Sequence, residues 1–267
     1  RIAGDPVIGA DEVLWTVVDI TKRVTSQKKI EELTNKLSKY LSPQVYQSIF
    51  SGKQNVQIEA YRKKLTVFFS DIKGFTEITD RLEPEVLSSL LNSYLNEMSK
   101  IALKYGGTID KFIGDAILIF FGDPESKGDE EDAKACVLMA IEMRERMKYL
   151  RKLWDDQGIS NPLDIRIGIN TGFCNVGNFG SEDRLDYTII GGEVNLASRL
   201  ESSAEIGQIL ISHETNALIK KDIICEKKEE INVKGITHKI QTYQVIGTSK
   251  SLPIKNIILN EEYDGFN

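Results

Sequence analysis

Residues 84–121 leave few folds open. From Pro84 to Tyr105, apolar residues such as Leu87, Leu90, Leu91, Tyr94 and Met98 recur at helical spacing. Gly106-Gly107 then ends the helix. Thr108 to Ile113 and Ala116 to Phe121 are strand patterns separated only by Gly114-Asp115, a hairpin signal. Leu65 to Phe69 reads as a buried strand ahead of them, and Glu130 to about Trp154 as a long helix behind them. Strands over Leu163 to Thr171 and Leu185 to Ile190 follow, then a helix from about Glu193 to Ala204. Gln208 to Ser212, Ile223 to Val233 and Lys239 to Ile246 complete the strand set. This order predicts an α+β sandwich with a mostly antiparallel sheet flanked by helices. Gly168, Gly172, Gly177 and Gly180 are expected to serve turns.

The chain has 267 residues and is 41% hydrophobic and 28% charged, enough apolar content for a sizeable core. Its net charge of −6 argues against generic nucleic-acid binding, which needs a basic face. No apolar run approaches the roughly 20 residues that span a bilayer. Cys136, Cys174 and Cys225 are far apart, so neither a disulfide framework nor a zinc site is indicated. The opening Arg1, with no signal peptide behind it, leads us to expect a fragment of a longer cytoplasmic polypeptide.

Five segments are expected. Residues 1–21 hold a short strand pattern, too little for an independent core. Residues 22–50 read as helix, with Ile30, Leu33, Leu37 and Tyr40 at 3-4-3 spacing. That seam suits either a surface helix docked on the domain or a short parallel coiled coil joining two chains. Ser42-Pro43 starts a second short helix. Residues 51–63 form a linker, 64–247 the main domain and 248–267 a flexible tail.

Three stretches carry candidate chemistry. Phe68-Phe-Ser-Asp-Ile-Lys-Gly-Phe-Thr76 ends a buried strand on Asp71, then turns through Gly74 into a helix start. Backbone N–H groups at such a turn can cradle phosphate, and a carboxylate beside them can hold Mg²⁺. Taken alone, Asp71 reads as a turn residue. Asp110-Lys-Phe-Ile-Gly-Asp-Ala-Ile-Leu118 sets Asp115 in the hairpin turn. Paired with Asp71, it would place two carboxylates on neighbouring strand ends, as a two-metal phosphoryl-transfer site requires. In Gly191-Gly-Glu-Val-Asn-Leu-Ala-Ser-Arg199, Asn195 and Arg199 are four residues apart and share a helix face. That pair can clasp a ribose and a phosphate together, Arg matching phosphate oxygens with its fork of donors. There is no GxxxxGK[ST] loop, and Gly191-Gly-Glu193 leads into Val194-Asn195 rather than the Glu-Phe of diguanylate cyclases.

Together these motifs resemble the catalytic domain of class III nucleotide cyclases, over about Leu65 to Gly247. The resemblance rests on Phe69-Ser-Asp-Ile-Lys-Gly-Phe-Thr76, Lys111-Phe-Ile-Gly-Asp-Ala116, Arg166-Ile-Gly-Ile-Asn-Thr-Gly172 and Val194-Asn-Leu-Ala-Ser-Arg199. It implies a ferredoxin-like-derived fold and two Mg²⁺ or Mn²⁺ ions on Asp71 and Asp115, with the backbone carbonyl of Ile72 as a further ligand. Lys111 and Thr188 would select the base, Asn195 would position the ribose, and Arg199 would stabilise the α-phosphate. Gly74, Phe75 and Thr76 would lie along the triphosphate, and Lys234 would contact phosphate. ATP is the implied substrate: an ammonium at Lys111 donates to adenine N1, and Thr188 accepts from the adenine amino group, whereas guanylate cyclases of the family tend to show Glu and Cys there. A homodimer is implied, one copy supplying the two Asp residues and the other Lys111, Thr188, Asn195 and Arg199. Leu14-Trp-Thr-Val-Val-Asp-Ile-Thr-Lys-Arg23 looks like the exit strand of a PAS-type sensor upstream in the same polypeptide. The alternatives are a guanylate cyclase and a catalytically silent cyclase-like module.

Overall fold

The computed structural model describes residues 2–3, 6–7, 14–15, 18–19, 21–37, 41–52, 57–159, 163–232 and 239–249. Two small antiparallel ladders come first: β1 (Ile2–Ala3) pairs with β4 (Val18–Asp19), and β2 (Pro6–Val7) with β3 (Leu14–Trp15). Helix α1 (Thr21–Leu37) follows, and then α2 (Pro43–Phe50). Ser42 caps α2 by accepting from Val45 N–H at 3.3 Å, with Pro43 in the first turn where no donor is needed. Gln44 Nε2 donates to the Gly107 carbonyl at 2.8 Å and ties α2 to the domain. The last seam residue, Tyr40, and positions 250–267 of the expected tail lie outside the described residues.

The domain proper runs β5 (Ala60–Ile72), α3 (Phe75–Thr79), α4 (Pro84–Tyr105), β6 (Thr108–Ile113), β7 (Ala116–Phe121), α5 (Asp129–Asp156), β8 (Ile165–Gly180) and β9 (Leu185–Ile190). It continues through α6 (Gly192–Ser203), β10 (Ile209–Ser212), α7 (His213–Ile219), β11 (Ile223–Lys227) and β12 (Thr242–Thr248). The strands order as β11-β12-β10-β8-β5-β7-β6, with β9 on the distal half of β8. Among the described residues only the pairing of β10 with β8 is parallel. This is a mixed α+β fold with a mostly antiparallel sheet flanked by helices.

Strand alternation sorts the sheet into two cores. Phe68, Ile72, Ile117, Ile119 and Ile167 pack beneath α4 and α5. On the opposite face Leu65, Val67, Leu118, Phe120, Val176 and Ile189 form a second cluster with Ala197 of α6. Strand β7 is buried on both faces, which accounts for its unbroken apolar run. The sheet also curls. Thr188 Oγ1 and Ile189 N–H of β9 donate to Asp110 Oδ2 of β6, although β8, β5 and β7 lie between those strands in the pairing order.

The largest departure from expectation is β8. It runs on to Gly180, nine residues past the expected end at Thr171, and takes in all four glycines read as turn residues. Close approach explains the first two. A Cβ on Gly168 would lie 2.2 Å from both the Ala197 carbonyl oxygen and the Glu201 nitrogen; one on Gly172 would lie 2.6 Å from the Glu193 side chain. Helix α7 was not anticipated, because seven residues show too little periodicity. It starts where Ser212 accepts from Thr215 N–H at 3.3 Å. The strand from Ile223 stops at Lys227 rather than reaching Val233.

Candidate active site

Asp71 and Asp115 come together. Strand β5 delivers Asp71 one residue before its end, and the turn between β6 and β7 presents Asp115. Gly114 takes a φ of 65°, which the two-residue turn requires and which Gly adopts without strain. Asp115 Oδ2 accepts from Ile72 N–H at 3.1 Å, locking the turn onto the end of β5. Burial, then the neighbouring Asp71 carboxylate, pushes the Asp115 carboxyl up to about 6. On the other side Arg166, paired with Asp71 in the β5–β8 register, reaches Asp71 Oδ2 at 3.1 Å. It also reaches Glu201 Oε1 at 2.8 Å.

Two crowded carboxylates with a single arginine beside them favour added positive charge. Among the described residues no group of three or more His, Cys, Asp and Glu side chains comes together as a metal cage. Hard oxygen donors in a pair suit Mg²⁺ or Mn²⁺, which take one or two carboxylates and fill their shells with water and substrate phosphate. The donor set here therefore fits the expected ions. Residues around the β5–α3 turn are placed as follows. Gly74 adopts φ 70° ahead of α3. Phe75 turns its ring onto the main core, which leaves its backbone for any phosphate contact. Thr76 is exposed. Lys234 lies outside the described residues.

A second constellation is built by the curl of the sheet. Lys111, Thr188 and Asn195 line one cavity of about 340 Å³, walled by Phe69, Leu118, Ile189 and Val194. Three elements converge on it: β6 brings Lys111, β9 brings Thr188, and α6 brings Asn195. An apolar slot with a few convergent polar groups is the form a base-sized ligand site takes. Arg199, one turn beyond Asn195, is exposed and does not line the cavity. Neither do Asp71 and Asp115. Within one chain the sequence-predicted residues thus form two groups, the acidic pair and the lined cavity.

Two residues near these groups had no role in the sequence reading. Arg166 is one; its contact with Asp71 depends on strand register, which the local pattern does not encode. Asp110 is the other. It is the unpaired residue where the β6–β7 register slips, between the pairs Ile109↔Ile119 and Lys111↔Leu118. Its carboxylate accepts from Thr188 Oγ1 at 2.6 Å and from Ile189 N–H at 3.3 Å, and pairs with Lys111 Nζ at 3.3 Å. Burial pushes its carboxyl up, and the Thr188 hydrogen bond and the Lys111 charge oppose that. A carboxylate next to Lys111 was the available sequence signal.

Comparison with known proteins adds an independent line. Residues 56–247 match the family described as the adenylate and guanylate cyclase catalytic domain. The crystal structure of the adenylyl cyclase CyaB from P. aeruginosa is similar to this chain at 62% identity, covering 73% of this chain and 100% of that one, with a TM-score of 0.71. A terminal-differentiation-specific adenylate cyclase of Dictyostelium discoideum is 35% identical over 82% of this chain and 10% of its own length. A membrane guanylyl cyclase of the same organism is 31% identical over 81% of this chain and 14% of its own. This chain therefore spans only a small part of those two relatives.

Proposed function

This chain belongs to the adenylate and guanylate cyclase catalytic domain family, and from that premise we propose that it converts ATP to 3′,5′-cyclic AMP and pyrophosphate as a homodimer. The observation that carries the choice of ATP is Lys111 and Thr188 in one cavity. Adenine presents an acceptor at N1 and a donor at the 6-amino group; guanine presents the reverse. An ammonium at Lys111 and an accepting oxygen at Thr188 match adenine, and a buried mismatch discriminates far better than shape does.

The reaction joins the ribose 3′ oxygen to the α-phosphorus in line while the bond to the β-phosphate oxygen breaks. Asn195 orients the ribose. Arg199 offsets the charge that grows on the α-phosphate, a stabilisation realised chiefly in the transition state. Asp71, Asp115 and the Ile72 carbonyl would hold two divalent ions, which would supply Lewis-acid stabilisation of the triphosphate and lower the pKa of the attacking hydroxyl. Gly74, Phe75 and Thr76 receive the triphosphate along the β5–α3 turn. Because Asp71 and Asp115 stand apart from the cavity within one chain, a complete site draws them from one copy and Lys111, Thr188, Asn195 and Arg199 from the other. Such a symmetric pair closes on itself with two equivalent sites.

Residues 1–21 belong, in this reading, to the end of a PAS-type sensor, and α1 with α2 carries its state to the catalytic domain. Incubating the purified chain with Mn²⁺ and either ATP or GTP tests the proposal. Cyclic AMP from ATP is expected, and Asp71→Ala is expected to abolish it. Cyclic GMP alone would overturn the base assignment; no product from either nucleotide would favour a silent module.

A further inference from the structure

Thr188 has an ambiguity as a base reader: a hydroxyl both donates and accepts, so by itself it can satisfy either purine. Its surroundings remove that ambiguity. Thr188 is 6% exposed, and its hydroxyl has a fixed partner. Its Oγ1 lies 2.6 Å from Asp110 Oδ2, and the carboxylate is itself 1% exposed. That oxygen is anchored from a second side by Ile189 N–H at 3.3 Å. The other carboxylate oxygen faces Lys111 Nζ at 3.3 Å.

We propose that Asp110 is a specificity-determining positioning residue: it takes the Thr188 hydroxyl proton as a hydrogen bond, leaving Thr188 an acceptor-only group toward the base, and it holds Lys111 beside it. An ionised carboxylate has no proton to give, so the hydroxyl must donate toward it. Only an oxygen lone pair then faces the cavity. The 6-amino group of adenine finds an acceptor there. The 6-oxygen of guanine meets another acceptor and stays unpaired. The β6 bulge makes this possible, because the extra residue allows Asp110 and its neighbour Lys111 both to engage the β9 side. The inference rests on the ATP reading above and extends it to a residue outside the base-contacting pair.

Specificity constants for ATP and GTP test it, measured on the wild type, Asp110→Asn, Thr188→Val and the double variant. An amide at 110 can donate to Thr188 and free its hydroxyl to donate toward guanine. Asp110→Asn should therefore lower the ATP:GTP ratio of kcat/KM about tenfold, the worth of one hydrogen bond. In the Thr188→Val background the same change should leave the ratio unmoved. Should Asp110→Asn alone fail to fold, Asp110→Asn combined with Thr188→Asp reverses the hydrogen bond and restores an acceptor at 188. That pair should fold and keep its preference for ATP; folding with the preference lost would overturn the proposal. Equal losses on ATP and GTP in Asp110→Asn would also overturn it, since they indicate a structural role only. A wild-type chain that does not favour ATP contradicts the substrate reading and this inference together. A wild-type preference that survives Asp110→Asn contradicts this inference alone.

Discussion

Arg166 touches two carboxylates at once, and that makes it a sensitive point. Its guanidinium spans from Asp71 on β5 to Glu201 on α6, both within 3.1 Å. Glu201 is buried, and burial pushes its carboxyl up while Arg166 holds it down. Arg166→Ala leaves that buried charge without its partner and should cost about 3 kcal/mol at neutral pH. A buried acid with a raised folded-state pKa binds its proton more readily folded than unfolded, so its contribution falls as pH rises. The loss in Tm should accordingly be larger at pH 8 than at pH 5; an equal loss at both would contradict this account of Glu201. Arg199 is a different kind of arginine: exposed, with its proposed partner absent until ATP binds. Arg199→Ala should lower kcat about 10²–10³-fold with little change in KM, as initial rates of cyclic AMP formation would show. At this scale the sequence singles out Asp71, Asp115, Lys111 and Asn195 by motif, and the structure sets the first two side by side and the last two on one cavity. It was silent on Arg166 and Asp110, whose partners are set by a cross-strand register and a bulge.

Helix α6 sits where it does because β8 lets it come close. Gly168 faces its backbone, and a methyl group there would lie 2.2 Å from two backbone atoms of α6. Backbone cannot rotate aside, so the helix itself must move. Gly168→Ala should destabilise the domain by about 1–3 kcal/mol. It should also lower the rate, because Asn195 and Arg199 ride on α6. An unchanged Tm in that variant would contradict the close packing. Helix α4 was legible from Pro84 to Tyr105, the bounds observed, because both ends carry their own signals. Pro84 opens it and Gly106 closes it at φ 84°. Strand β8 was not legible beyond Thr171. Gly168 and Gly172 look like turn residues in sequence, and only α6 lying over them shows that they are packing residues.

At the scale of the molecule, the acidic pair and the base-sized cavity are distinct places on one chain. The fold class followed from the order of elements, but no local pattern disclosed the curl that brings β9 to β6 and so creates the cavity. The proposed second copy would join the two groups. Helix α1 leaves Val24 and Ile30 exposed, at 41% and 62%. If those positions belong to a seam between two chains, removing residues 1–37 should shift dimerisation to higher protein concentration in sedimentation experiments, and an unchanged dimer would assign α1 to another role. The most direct measurement mixes two inactive variants. Asp71→Ala and Arg199→Ala should each make almost no cyclic AMP alone. Combined in equal amounts, half of the randomly paired dimers are mixed, and each mixed dimer has one complete site of two. Roughly a quarter of wild-type activity should therefore return. A mixture as inactive as its components, with mixed dimers verified to form, would contradict a site shared between two copies.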